Sequence, residues 1–274
     1  MIATDHFTFV HLHKCGGSFV SQFLLRFFPS ARRIGYHHPL AAMPQAQRSR
    51  PVLGCVRNPW DFYVSYYFFQ AEVLAAARRR TGAMSPRDLN DWIEAGNDPL
   101  NGVDVLFEEL SDAGSLDFAS TTRSILRLGT DDRLLDRILD IMPVALDRRD
   151  RSATIQAEGF RGMNVRASDL AGIRGTGVGL YTFLFRHLYG DAQNVDFLRM
   201  EHLREDLLDY LRQRGVPVTA EMKRFVRDAD PVNMSRHGPY PMYYNAALAS
   251  LVQERDGSLA VRFGYRFDAI ASPR

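Results

Sequence analysis

Cysteine is scarce in this chain. Its 274 residues include two, Cys15 and Cys55, and neither sits in a CxxC pair. That excludes a disulfide framework and reads as two reduced thiols in a reducing compartment. Long apolar runs are missing too: no stretch approaches the roughly 18 uninterrupted apolar residues of a membrane span. The opening MIATDHFTFVHLHKCGG lacks the basic start, apolar run and small-residue cleavage site of a signal peptide. A soluble, cytoplasmic protein is the expectation. Nor is there an excess of one charge. Against 34 basic residues stand 32 acidic ones, a formal balance of +2. A general nucleic-acid binder would present a strongly basic face, so that class is excluded. A small anionic ligand is not, because a pocket needs only a few well-placed cations. Internal repeats and low-complexity linkers are also lacking.

What is present is core material. Hydrophobic residues make up 46% of the chain and aromatics 11%, enough to bury one sizeable core and to make disorder over most of the length untenable. Thr8–His13 is a short β-rich run broken by Gly16-Gly17. Ser18–Phe28 follows as an amphipathic helix, with Phe19, Phe23 and Phe27 at helical spacing and Pro29 as its stop. Val52–Arg57 is a second apolar run of the kind that forms a buried strand. Asn58-Pro59 then opens a helix expected to reach about Arg80, since Asn caps well and Pro suits the first helical position. Helical patterns recur over Arg87–Glu94, Leu134–Met142, Leu180–Leu188, His202–Arg214 and Tyr240–Arg255. Gly172–Gly179 is a glycine-rich connection, and Val195–Met200 is a late strand. Strands alternating with helices predict an α/β fold, a mostly parallel sheet with helices on both faces, in one domain spanning 1–274.

Two segments carry chemistry. In the first, Phe9-Val10-His11-Leu12-His13-Lys14-Cys15-Gly16-Gly17-Ser18-Phe19 runs strand, glycine turn, helix. Such a turn aims backbone N–H groups outward at a helix N-terminus, where the dipole favours an anion. The glycines let that anion approach closely, Lys14 supplies a point charge and Ser18 a hydroxyl. This is not a Walker A loop, in which the lysine follows the second glycine. By itself the segment is also compatible with an ordinary strand–turn–helix bearing an exposed lysine. The second segment is Val52-Leu53-Gly54-Cys55-Val56-Arg57-Asn58-Pro59-Trp60, continuing to Ser65. Arg57 stands at the C-terminal end of a strand, where open α/β sheets place their ligand crevice. Its guanidinium can grip a phosphate with two parallel hydrogen bonds. Ser65, eight residues on, reads equally as a solvated helical serine.

Taken together, the HxxKxGGS and RNP…S stretches resemble the two signatures by which sulfotransferases bind 3′-phosphoadenosine 5′-phosphosulfate (PAPS). The similarity is greatest to the branch containing carbohydrate O-sulfotransferases, whose first signature reads roughly HIPKTGGT. The resemblance implies a P-loop-like α/β fold and a site for the 5′-phosphosulfate formed by Lys14, Cys15, Gly16, Gly17, Ser18 and Phe19. It also implies a 3′-phosphate site formed by Arg57 and Ser65. Two positions depart from the pattern: His13 stands where the family usually has Pro, and Cys15 where it usually has Thr, which removes a hydroxyl donor. Asp196–Leu203 is similar to the family's late strand and "YEDL"-like turn. Asn233-Met234-Ser235-Arg236-His237, with Tyr243-Tyr244 and Phe263-Gly264-Tyr265, looks like its closing segment. That adds Ser235 and Arg236 as cofactor candidates. The stretch from about 81 to 191 carries no recognisable motif and is where the resemblance places acceptor selection.

The implied reaction is an in-line displacement at sulfur by an acceptor hydroxyl, with a sugar or glycan the acceptor the resemblance favours. Small alcohols, lipids and natural-product hydroxyls stay open. Phosphoryl transfer is the near analogue, dominated by positioning and charge stabilisation. Lys14 would stabilise the leaving group and no metal is required. A histidine would take the acceptor's proton: His37 in Gly35-Tyr36-His37-His38-Pro39 matches best, with His38 the alternative. His11 and His13, two apart on a strand, face the same side. No cluster nearby completes a metal site, and His11 reads as a buried hydrogen-bonding residue. Arg78-Arg79-Arg80 reads as a solvated helix end, or else as an attractor of an acidic acceptor. Tyr181, Phe183, Phe185 and Tyr189 read as core, and Glu201 as the anchor of a loop. Two other functions fit the same residues: a nucleotide-dependent phosphotransferase, which would need magnesium, and a nucleotide-binding protein without turnover.

Overall fold

Val-Leu-Gly-Cys-Val at 52–56 is apolar on both faces, and that is why it runs through the middle of a sheet. The structure is a computed structural model and describes residues 1–35, 37–81, 117–141, 167–232 and 235–268. Strands β1 (Ile2–Ala3) and β2 (Thr8–Phe9) lead into helix α1 (Gly17–Phe27), then β3 (Arg32–Arg33), β4 (Val52–Val56) and helix α2 (Pro59–Thr81). Next come α3 (Phe118–Arg127), α4 (Asp132–Ile141), α5 (Ala167–Leu170), α6 (Leu180–Tyr189) and β5 (Val195–Arg199). The chain ends in α7 (Leu203–Gln213), α8 (Ala220–Asp228) and α9 (Ala246–Phe263). The expected helix over Arg87–Glu94 lies outside the described residues, as do Met142, Tyr36, Asn233 and Met234.

The fold is α/β, with a five-stranded sheet in the order β3-β1-β2-β4-β5 flanked by helices. The sheet is mixed, which corrects the expectation of a mostly parallel one. β2, β4 and β5 run parallel, while β1 pairs antiparallel with both β2 and β3. The parallel part is the part that alternates with helices in sequence. β1 and β3 have two residues each, too few to show a period, and they form by pairing on an existing edge. Among the described residues no helix is long and apolar enough to cross a membrane.

The chain divides into two compact units. Described residues of the first lie within 1–58 and 184–232 and include the whole sheet. Register along β4 and β5 runs from Val52 opposite Val195 to Val56 opposite Arg199. Gly54 is required by what faces it: a β-carbon there would lie 2.7 Å from the ring of Phe197 and 2.9 Å from the Tyr189 hydroxyl. That hydroxyl accepts from the Cys55 N–H at 3.2 Å and donates to the Val10 carbonyl at 3.0 Å, bridging two strand segments. Phe23 and Phe27 of α1 meet Phe225 of α8 with ring centroids 6.0 and 5.4 Å apart. α8 has no counterpart in the sequence reading, although Thr219 caps it by accepting from the Met222 N–H at 3.2 Å.

The second unit lies within 59–141, 167–183 and 235–268. Phe62 of α2 stacks on Tyr181 with ring centroids 4.2 Å apart. The Trp60 indole N–H donates to the Ala249 carbonyl at 2.9 Å. The helix expected over Tyr240–Arg255 begins later and runs further. Tyr240–Tyr243 is a short 3-10 turn, and α9 starts where Asn245 accepts from the Leu248 N–H at 2.9 Å, ending at Gly264 in a left-handed conformation, φ 71°. The cap and the glycine set these ends more firmly than the aromatic periodicity did.

Candidate active site

The first signature forms a strand–loop–helix in the first unit. Thr8–Phe9 is the strand, the Val10 N–H extends its pairing by donating to the Leu53 carbonyl at 2.8 Å, and α1 begins at Gly17. Gly16 precedes the helix at φ 77° and brings no side chain to cap it, and the first turn holds no acidic residue. Gly16 is also packed from below. A β-carbon there would lie 2.5 Å from Leu203 and from the Met200 sulfur. Lys14 is half-buried and Cys15 and Gly17 are buried; Ser18 and Phe19 fill the first turn of α1. Lys14 adopts φ 56° and His37 φ 52°, and these are the positive-φ non-glycine residues among those described. Holding a side-chain-bearing residue there costs on the order of 1–3 kcal/mol, and such strain concentrates at functional sites.

Arg57 follows the last residue of β4 and is buried to 8% exposure. Its Nη1 donates to the Lys14 carbonyl at 2.9 Å. The structure therefore brings the two signatures together at the C-terminal ends of neighbouring parallel strands, β2 and β4.

Three imidazoles crowd the same loop. His37 stacks nearly parallel on His13, with centroids 3.6 Å apart at 15°, and lies 4.3 Å from the ring of His11. His37 Nδ1 lies 2.7 Å from the His11 carbonyl oxygen. A carbonyl only accepts, so Nδ1 carries the proton and Nε2 the lone pair. Burial holds the pKa of His37 well below the ordinary imidazole value, and the neighbouring His13 and His11 lower it further. His11 is depressed in the same direction, first by burial and then by His13. His38 is half-exposed, and its ring lies against Gly35, where a β-carbon would come within 3.0 Å.

Ser65, Ser235 and Arg236 belong to the second unit. Ser65, buried within α2, and Ser235 share a hydrogen bond between hydroxyls at 3.2 Å. Arg236 is exposed. Cys15 and Cys55 are both buried thiols. Tyr181, Phe185 and Tyr189 are buried, as core residues should be, while Phe183 is half-buried.

The sequence marked Glu201 as an anchor without naming its partner: its Oε1 accepts from the Asn58 backbone N–H at 2.7 Å, one residue past Arg57. The Arg204 guanidinium lies 5.0 Å over the Phe19 ring and donates to the carbonyls of Val226 and Ala229 at the end of α8. His13 joins the stack on His37. The strand ends at Phe9, so His11 and His13 lie beyond it, and both rings meet that of His37.

No protein-family model matches this chain, and no curated protein or solved structure matches it either. The chemistry of the site has to be read from its own residues.

Proposed function

We propose that this protein is a PAPS-dependent O-sulfotransferase on a P-loop-like α/β framework, acting in a reducing, cytoplasmic setting on a hydroxyl acceptor of the carbohydrate class. The observation that carries the reading is the 2.9 Å hydrogen bond from Arg57 to the Lys14 carbonyl. Two segments 43 residues apart, each suited to hold an anion, meet at one place. Lys14 and Arg57 there suit a donor with anionic groups at both its 5′ and 3′ ends. The uncapped start of α1, free of acidic side chains in its first turn, suits the 5′ end.

In the proposed reaction the acceptor oxygen forms a bond to sulfur as the bond from sulfur to the bridging phosphate oxygen breaks. The electron pair leaves on that oxygen, and Lys14 offsets its charge. The acceptor proton passes to Nε2 of His37, whose Nδ1–H is committed to the His11 carbonyl. A depressed pKa keeps His37 neutral, the form that accepts a proton.

The deciding experiment is calorimetric titration with 3′,5′-ADP, the desulfated product, on the wild type and on Arg57→Ala. The expected result is micromolar binding that falls roughly 10- to 100-fold in the variant, the usual worth of charge-assisted hydrogen bonds. Sulfation of a panel of hydroxyl acceptors with PAPS follows. A wild type that ignores 3′,5′-ADP overturns the reading.

A further inference from the structure

Resting on that reading, we infer that Glu201 is a positioning residue for Arg57, holding its guanidinium in register for the donor's 3′-phosphate. The ladder between β4 and β5 ends at Val56 opposite Arg199. Beyond that pair the two chains part: one continues through Arg57 and Asn58 into α2, the other turns through Met200–His202 in a 3-10 helix. The Asn58 N–H would have a strand neighbour if the sheet went on. Glu201 Oε1 takes that place, accepting from it at 2.7 Å, a charge-assisted bond of the stronger kind. Arg57 is thereby fixed from two sides, by its own Nη1 on the Lys14 carbonyl at 2.9 Å and by Glu201 on the next peptide. The same turn supports the other grip, since Met200 and Leu203 lie where a side chain at Gly16 would have to go. One turn thus sets both halves of the site, with Glu201 assigned to the Arg57 half.

The Glu201 side chain is exposed, so its removal takes little packing away. Electrostatics and positioning also predict opposite signs. Deleting a carboxylate near a phosphate site tightens anion binding if charge alone matters. It weakens binding if the carboxylate holds the arginine in place.

The test compares 3′,5′-ADP with 5′-AMP, which lacks the 3′-phosphate, by calorimetry on the full chain. Glu201→Ala is expected to lose about tenfold in affinity for 3′,5′-ADP and to keep its affinity for 5′-AMP. Glu201→Gln, which retains an acceptor oxygen and the fold, is expected to keep most of the preference. Adding Glu201→Ala to Arg57→Ala is expected to cost nothing further, because the two act as one unit. Tighter 3′,5′-ADP binding by Glu201→Ala, or an equal loss for both nucleotides, overturns the inference while leaving the sulfotransferase reading standing. A wild type with no preference for 3′,5′-ADP overturns both, and it is recognised by appearing before any substitution is made.

Discussion

The imidazole of His11 occupies the space that a side chain at Gly17 would need. A β-carbon built on Gly17 would lie 1.9 Å from His11 Cδ2 and 2.3 Å from Nε2. The helix that follows the first signature therefore starts on a glycine because a buried histidine presses against its first turn. Gly17→Ala should lower stability by about 1–3 kcal/mol, the usual cost of overpacking. The two positions should also couple, so that Gly17→Ala costs at least about 0.5 kcal/mol less in a His11→Ala background. Urea denaturation of the four proteins in that cycle measures both quantities, and additive losses would show that the contact is not what fixes glycine there.

Protonation of the histidine cluster should limit stability in acid. His11 and His37 are held below the ordinary imidazole value of about 6.5 by burial in the first place. A depressed pKa in the folded state means that above about 6.5 both folded and unfolded chains leave these rings neutral, and the cluster imposes no penalty. As pH falls below that value the unfolded chain gains protons first, and stability declines until the folded-state values are passed. His13 and His11 face His37 and Lys14 and Arg33 face His11, all raising the cost of a charge there. Urea midpoints measured from pH 8 to pH 5 should drop below about pH 6.5, and His37→Asn should flatten the drop. A flat wild-type profile would contradict the burial of these rings.

Asp256 is the other buried ionisable centre, and it belongs to the second unit. Its carboxylate accepts from the Tyr63 hydroxyl at 2.6 Å and from the Thr182 N–H at 2.8 Å, at the first turn of α6. Burial pushes its pKa up and outweighs the hydrogen bonds, which pull it down. A raised folded-state value means that the ionised group costs stability at neutral pH and that this cost fades as pH falls toward the unfolded value of 3.8. Asp256→Asn, uncharged and able to accept from Thr182, should change stability little at pH 7. Asp256→Ala should lose about 2–4 kcal/mol by leaving the Tyr63 hydroxyl and the Thr182 N–H unmatched beside a void. Thermal melts of the two variants separate these outcomes, and equal losses would mean that the charge itself is needed.

Much of this molecule is written locally. Gly16-Gly17, Asn58-Pro59 and Gly215 mark ends that follow from backbone sterics over a few residues, and the structure places element boundaries beside each. The apolar run at 52–56 became a strand because a parallel strand covered on both faces needs no alternation, whereas 195–199 forms the sheet edge with Asp196 and Arg199 exposed. Lys14 and Arg57 stand out as candidates because cations near strand ends are suited to holding an anion. The β1 and β3 strands have two residues each and no periodicity to read, and the short α8 is signalled by its Thr219 cap.

The sequence by itself determined which residues are fit to hold an anion and which stretches alternate between strand and helix, since both depend on side-chain chemistry and short-range backbone preference. Only the tertiary structure decided what meets what. Arg57 reaches back 43 residues to the Lys14 carbonyl, Glu201 reaches 143 to the Asn58 amide, and Ser235 reaches 170 to Ser65. His37 comes to lie on His13 with a left-handed backbone that its own neighbours would not choose. Such contacts are fixed by how buried faces pack once the sheet has formed, and that information is spread over the whole chain.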